Sequence, residues 1–272
     1  MSTNPLAKPE PWNLVAGGYQ SETVPSFRQY CQKALDLIGY IPGKNVIDIA
    51  CGPGTLTLML AESAADITAI DFSAGMLDIF RRLAEEQSAK NVTIHHMDGQ
   101  KLVLPDNTFD FGFSMFGLMF FPDRMAGFKE LLRVLKPGGR AAVSSWAPVT
   151  ESPMMQLMFG SLRAAFPERP EPKTNMLSLE NPEFFRNEMT TAGFQDVTVT
   201  AFDGEWRVEN ADTFLESMVK GSAPLEMMRH NLSGDVWAEK RKLIVAYLQE
   251  NLPRLPAVLH SRALIAVGTK PF

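Results

Sequence analysis

Three aspartates punctuate the first hundred residues, Asp48, Asp71 and Asp98, each at or just behind a run of apolar and β-branched residues. A carboxylate at the end of a buried strand can accept hydrogen bonds from the hydroxyl or amino groups of a ligand lying across the strand ends. Between the first two stands Cys51-Gly-Pro-Gly-Thr55, a Gly-x-Gly turn leading into the apolar helix pattern Leu56–Leu60. Such a turn lets the backbone approach a ligand closely and aims a helix N-terminus at it, which favours a carboxylate. Asp71 closes the run Ile67-Thr-Ala-Ile70, at about the 20-residue distance expected of a ribose-binding carboxylate.

The turn narrows the ligand by what it lacks. A dinucleotide fingerprint needs a third glycine where this chain has Thr57. A P-loop needs Gly-Lys-Ser/Thr, and no lysine is present. Phe72 follows Asp71, with no arginine for a 2′-phosphate. S-adenosylmethionine has a carboxylate, a ribose and an adenine but no phosphate, and fits better. Asp71 would then accept from the ribose hydroxyls. Asp98 would accept from the adenine amino group, with the Gly99 and Gln100 amides on the ring nitrogens. Plainer readings exist: Asp71 as a helix-start carboxylate held by local amides, Asp98-Gly99 as a surface turn. Three acidic positions at successive strand ends favour one shared ligand.

The elements that must position these residues follow from periodicity. Strands are predicted at Asn45–Ala50, Ile67–Asp71, Val92–His96, Phe109–Met115 and, after the turn Lys136-Pro-Gly-Gly139, Arg140–Trp146. Helices are predicted at Pro25–Ile38, Thr55–Ala64, Ala74–Ser88 with Ser73 as N-cap, and Arg124–Leu135. Alternating strand and helix implies an α/β fold, a parallel sheet with helices on both faces. After Trp146 the pattern changes. Residues Glu151–Thr174 are rich in Met, Pro and Phe, with a helix at Met154–Ala165. A helix at Asn181–Ala192 and a strand at Gln195–Ala201 follow. Asn210–Glu250 reads as helical, broken at Gly221–Pro224 and near Gly234, and Ser261–Gly268 is a last strand.

Together these blocks resemble the class I S-adenosylmethionine-dependent methyltransferases, in the small-molecule branch of the ubiquinone/menaquinone biosynthesis type. The matching segments are residues 46–55, 69–77, 97–105, 109–114 and 133–139, in the right order and spacing. The segment Trp12–Tyr19 is similar to that branch's stretch whose tyrosine closes over the cofactor, and 265–271 to its final strand. The resemblance implies a doubly wound, mostly parallel seven-stranded sheet, Rossmann-like, with a helical cover. It divides the chain into an N-terminal helical lid (1–40), a cofactor-binding core (41–147) and a completion of the sheet (148–272, strands near 195–202 and 260–268). Substrate-cover insertions are expected near 148–180 and 205–255. By the same resemblance Asp48, Ala50, Gly52 and Gly54 would cradle the methionine part, and Asp71, with Phe72 beside it, the ribose. Met76 would lie on the adenine, Asp98, Gly99 and Gln100 on its edge, Ser114 and Met115 on the sulfonium side, and Tyr19 over the whole. Ala50 stands where many members have glycine. No Asn/Asp-Pro-Pro-Tyr/Phe follows the fourth strand, so the amino-group chemistry of nucleic-acid and glutamine methyltransferases is not indicated. In its place Phe116-Gly-Leu-Met-Phe-Phe-Pro122 suits a small apolar or aromatic acceptor.

Transfer from a sulfonium is an in-line displacement at an already electrophilic methyl. The protein's main contribution would be alignment and exclusion of water, with a base needed only for an acceptor that must lose a proton. Tyr19, Phe116, Met119, Phe120 and Trp146 are the acceptor-side candidates; plain core packing is the alternative for each. No catalytic residue is singled out: His95, His96, His230 and His260 read as structural or solvated, and Met154, Met155 and Met158 as adaptable packing. No Cys/His or carboxylate set has metal spacing, so no metal is expected. The net charge of −5, without a Lys/Arg run, points away from nucleic acid. With Cys31 and Cys51 far apart in pattern, no signal peptide and no spanning apolar run, a soluble cytoplasmic protein without membrane insertion is expected, its oligomeric state open. Two rival functions remain: a protein that binds S-adenosylmethionine or S-adenosylhomocysteine without methyl transfer, as sensor or scaffold, and an NAD-linked oxidoreductase, disfavoured by Thr57 and Phe72.

Overall fold

The computed structural model describes residues 4–168 and 178–272. Residues 169–177, within the expected cover segment 148–180, and residues 1–3 of the lid segment lie outside the described residues. A short 3-10 turn, Pro5–Ala7, leads into α1 (Glu10–Gly18), a π-helical turn (Tyr19–Thr23) and α2 (Val24–Ile38). The core follows as β1 (Val46–Ile49), α3 (Thr55–Leu60), β2 (Ile67–Asp71), α4 (Ala74–Glu86), β3 (Val92–His96), β4 (Phe109–Ser114), α5 (Arg124–Val134) and β5 (Leu135–Trp146). Then come α6 (Pro153–Ala165), α7 (Pro182–Ala192), β6 (Gln195–Val208), α8 (Ala211–Gly221), α9 (Ala223–His230), α10 (Gly234–Asn251) and β7 (Ala257–Thr269).

The seven strands form one sheet in the order β3-β2-β1-β4-β5-β7-β6. Pairing is parallel from β3 to β5, while β7 runs antiparallel to both β5 and β6. The chain winds outward in one direction from β1 and then crosses to β4 in the other. The crevice between the carboxyl ends of β1 and β4 is therefore a topological switch point, where open α/β sheets take ligands. Alternation along the strands makes both faces apolar. On one, Phe128 and Leu131 of α5 and Phe185 and Met189 of α7 pack on Ile47, Ile49 and Val143. On the other, Cys31, Ala34 and Ile38 of α2 and Leu56 and Leu60 of α3 pack on Val46, Phe113 and Ala142.

Beyond Trp146 and its partner Ala263, β6 and β7 continue as a two-stranded ribbon, Asp203–Val208 against Ala257–Arg262. This corrects the strand limits expected from sequence, which stopped at Ala201 and began at Ser261. Gly204, Trp206 and Val208 face inward while Asp203, Glu205 and Arg207 face out. That is a clean period of two, concealed by its three charges. β5 likewise begins five residues early, at Leu135, and α3 ends at Leu60 rather than Ala64. The ribbon carries a separate apolar cluster, Trp206, Val208 and Leu259 with Met154 and Met158 of α6, Phe214 of α8, Met228 of α9 and Leu248 of α10. No described helix is long and apolar enough to cross a membrane.

Candidate functional site

The carboxyl end of β1 is bent back on itself. Ala50 (φ 56°), Gly52 (φ 55°) and Gly54 (φ 82°) all adopt left-handed backbone conformations. At Gly54 the need for glycine is also steric: an added Cβ would fall 2.3 Å from the Phe80 ring, which packs beneath the turn. Gly54 thus shapes the turn from below and does not line the cleft above it. At Gly52 a Cβ would meet nothing within 4 Å, so its backbone faces open space.

Two carboxylates hold the turn. Asp71 Oδ2 accepts from the Gly52 amide and Oδ1 from the Ser73 amide, both at 2.8 Å. The local-amide reading of Asp71 is therefore realised, yet each carboxylate oxygen has a second lone pair. Asp48 Oδ2 accepts from the Thr57 hydroxyl at 2.8 Å. Thr57, the residue that spoils the dinucleotide fingerprint, thus has a positive role that sequence reasoning missed: its hydroxyl reaches back across the turn to the end of β1. Asp48 and Asp71 are 2% and 6% exposed, and neither joins an ion pair among the described residues. Burial pushes Asp48 up to about 7, eased by the Thr57 hydroxyl and raised again by the charge of Asp71. Burial likewise pushes Asp71 up to about 6, against the pull of the Ser73 and Gly52 amides. Two carboxylates held at this cost favour a cationic group near them.

Asp48, Ala50, Gly52, Asp71, Phe72, Met76, Asp98, Gly99, Gln100, Met115, Phe116, Phe120 and Tyr19 all line one cleft of about 930 Å³, open solvent at its mouth included. Of the expected positions, Gly54, Ser114, Met119 and Trp146 do not line it. The Ser114 hydroxyl is fully buried and accepts from the Leu118 amide at 3.3 Å. Met119 takes a hydrogen bond from Ser145 through its sulfur. Trp146 stands behind Phe116, ring centroids 4.3 Å apart. Asp98 accepts from the amide of Gln100 at 2.9 Å, and the Gln100 side-chain oxygen accepts from the Asp123 amide at 2.8 Å, tying this turn to the start of α5.

The opposite wall is aromatic and comes largely from the N-terminal segment. Trp12 lies 5.1 Å from Phe120, Tyr19 5.8 Å from Phe27, and Phe27 4.8 Å from Phe116. Phe116 is itself left-handed (φ 58°), an uncommon conformation for a bulky residue, and turns its ring from the end of β4 onto Trp146. Burial first, then the nearby Cys31 and Asp71, raise the Tyr19 phenol well above its ordinary value, so it stays protonated. Burial also raises both cleft thiols, Cys31 and Cys51. No histidine lines the cleft. His96 instead bonds the Phe72 carbonyl at 2.9 Å, bracing the loop after β2. Phe27 and Cys31, four apart on one face of α2, were legible as a helical stripe but not as cleft wall; Leu6 and Ala7 gave no signal in sequence.

Residues 46–139 match the methyltransferase domain family. This segment is a methyltransferase domain. Over 114 residues the chain is 37% identical to demethylmenaquinone methyltransferase of Listeria welshimeri, covering 41% of this chain and 48% of that protein. The chain thus matches about half the length of such relatives. Among solved structures, phosphoethanolamine N-methyltransferase 2 of Haemonchus contortus, in complex with phosphomonomethylethanolamine and S-adenosylhomocysteine, superposes with a TM-score of 0.55. It is 18% identical, over 90% of this chain and 53% of that one. The [4+2]-cyclase SpnF superposes at 0.54 and 20% identity, over 90% and 81%. These structures share the Rossmann-like methyltransferase fold, and a cyclase among them separates the fold from any one reaction. The match ends at Gly139, so the aromatic wall from α1 and α2, Trp146 and the helices of the ribbon lie outside the matched stretch.

Proposed function

We propose that this chain transfers the methyl group of S-adenosylmethionine to a small, apolar or aromatic acceptor by in-line displacement. The observation that carries this reading is the pair of deeply buried carboxylates, Asp48 and Asp71, with no ion-pair partner among the described residues, flanking a left-handed turn at the switch point and facing an aromatic wall. S-adenosylmethionine supplies, when bound, a methyl group on a positively charged sulfur. Asp71 binds the ribose with the lone pairs its amide partners leave free, and the Gly52 backbone leaves room for the methionine part. Asp48 sits near enough to the turn to compensate the ammonium group. Asp98, Gly99 and Gln100 take the adenine edge, with Met76 against its face. Tyr19, Phe116 and Phe120 close the acceptor side and exclude water, while Met119 and Trp146 support them from behind.

No histidine, lysine, arginine or glutamate lines the cleft among the described residues. Tyr19 keeps its proton and acts as a hydrogen-bond donor. With the cleft's three aspartates, Asp48, Asp71 and Asp98, engaged by the cofactor, the acceptor brings its own nucleophile, one already ionised or needing no deprotonation. The relatives' name, demethylmenaquinone methyltransferase, fits an apolar ring system of this kind. The protein acts as a dissolved enzyme on a small molecule, without metal, nucleic acid or membrane insertion. Two measurements test the proposal. Isothermal calorimetry should detect S-adenosylhomocysteine, and absence of heat at millimolar ligand rejects it. Incubation with S-adenosylmethionine and a metabolite extract should add a methyl mass to one component. Retention of ligand with no methylated product would instead favour a sensor or scaffold.

A further inference from the structure

The front of the cleft's N-terminal wall, from Leu6 to Tyr19, packs outside the sheet's two main cores. There Val15 and Ala16 form a small buried cluster with Met76 and Ala223, and Leu6, Trp12 and Tyr19 pack against it. The wall's rear is fixed to α8: Thr23 Oγ1 donates to the Gly221 carbonyl at 2.8 Å, and Ser217 to Glu22 at 2.6 Å. Two side chains attach its front to α4: Gln20, whose Oε1 accepts from Arg82 at 2.6 Å, and Asn13. The Oδ1 of Asn13 accepts from the Ser73 hydroxyl at 2.7 Å and from the Gly75 amide at 2.9 Å. Ser73 has one hydroxyl proton and gives it to Asn13, while its oxygen accepts from the Met76 amide at 3.2 Å as the N-cap of α4. The amide of the same Ser73 donates to Asp71, whose other oxygen holds Gly52. One unbroken chain of hydrogen bonds therefore runs from α1 through Asn13, Ser73 and Asp71 to the left-handed turn.

We propose that Asn13 is a positioning residue: it latches the N-terminal wall onto the start of α4 and, through Ser73, holds Asp71 in place, so that cofactor release requires the latch to open. The proposal rests on the reading of the cleft as an S-adenosylmethionine site. Asn13 is exposed, its bond from the Gly75 amide is exposed and its bond from Ser73 half-buried, so water competes with both. The buried Thr23 bond behind it stays closed. The π-helical turn Tyr19–Thr23, a single irregular turn of the sort found at functional sites, lies between Asn13 and Thr23 and is itself tied to α4 through Gln20 and Arg82.

The bonds at Asn13 use only acceptor capacity, and this makes the test specific. Asn13→Leu keeps the size and removes the acceptor; Asn13→Ala removes both; Asn13→Asp keeps the acceptor and places a carboxylate at a helix N-terminus, where it is favoured. The readout is the dissociation rate of S-adenosylhomocysteine, by stopped-flow tryptophan fluorescence, with the melting temperature of the ligand-free protein alongside. The expected result is release about fivefold faster in Asn13→Leu and Asn13→Ala, the effect of losing two weak hydrogen bonds. Asn13→Asp should release within about twofold of wild type, and the ligand-free melting temperature should hardly move. Unchanged release in both the Leu and Ala variants overturns the proposal, as does a lowered melting temperature without faster release. Wild-type protein that binds no S-adenosylhomocysteine overturns the functional reading itself, an outcome distinct from either.

Discussion

The two sides of the cleft are built on opposite principles. On the side of β1 and β2, buried charge and strained backbone are held by short hydrogen bonds within a stretch of 27 residues, from Asn45 to Asp71. On the facing side, aromatic rings from α1, α2 and the end of β4 meet at 4.3–6.5 Å, with almost no polar atom directed at the ligand. The first side can fix one invariant ligand, because carboxylate and amide positions specify hydroxyl and amino groups one by one. The second can only select by shape and apolarity. On the proposed function, the first side would hold the donor and the wall would set the acceptor, so the two should respond separately to mutation.

The largest effect should come from Asp71→Ala, which removes the proposed ribose acceptor and also orphans the Gly52 and Ser73 amides. Affinity for S-adenosylhomocysteine should fall by about 1.5–3 kcal/mol, measured by calorimetry, since hydrogen bonds to a charged group are worth that much. Unchanged affinity would remove Asp71 from the site. Next comes pH. Asp48 and Asp71 are held at about 7 and about 6 in the ligand-free protein. A cationic ligand favours their ionised forms, so binding releases protons. Affinity should therefore rise with pH through the interval 5 to 7, by at most about tenfold per unit per proton, and level off above it. Asp48→Asn should flatten the upper part of that rise. The stability of the ligand-free protein runs the other way. Both carboxyls keep their protons longer folded than unfolded, so the contribution present below about pH 4 is lost as pH climbs through 6 and 7.

Thr57→Val ranks third. It takes the one side-chain donor from Asp48 in a fully buried setting and should cost about 1–2 kcal/mol in chemical denaturation. Smallest of all should be the effect of Trp146→Phe on the cofactor side, below about 0.5 kcal/mol in S-adenosylhomocysteine affinity, because its ring stands behind Phe116 and away from the carboxylates. The same change should alter acceptor turnover once an acceptor is known. A Trp146→Phe protein that loses the cofactor as badly as Asp71→Ala would break the division between the two sides.

This division also explains what could be read from sequence. The donor side is local: strand, turn, helix and carboxylate follow one another within a few turns of chain, and each has its own residue signature. The strands of the core were legible for that reason, while the seven-stranded winding came from the family resemblance. The ribbon limits were not, because Glu205 and Arg207 on its outer face break up an apolar run that the inward residues complete only in alternation. The roles of Thr57 and Ser73 were half legible. Thr57 read as the absence of a glycine and Ser73 as an N-cap, but their bonds to Asp48 and Asn13 cross between elements. The wall was least legible: Leu6, Trp12, Phe27 and Phe120 meet only because α1 and α2 fold over strand ends remote in sequence, and aromatic spacing carries no record of that meeting.

The contact between Ala50 and Gly117 sets a limit of its own. A Cβ on Gly117 would lie 2.4 Å from the Ala50 methyl, and Ala50 already sits in left-handed backbone while Gly117 does not. The crevice floor has space for a single carbon there, and in this chain it is lodged at the position less suited to carry it. Exchanging the two, Ala50→Gly with Gly117→Ala, would move that carbon from one lip of the switch point to the other. With glycine at the first position the buried Ser114 hydroxyl, 3.0 Å from such a carbon, becomes the next neighbour that must yield, so the exchange should be accompanied by a change there.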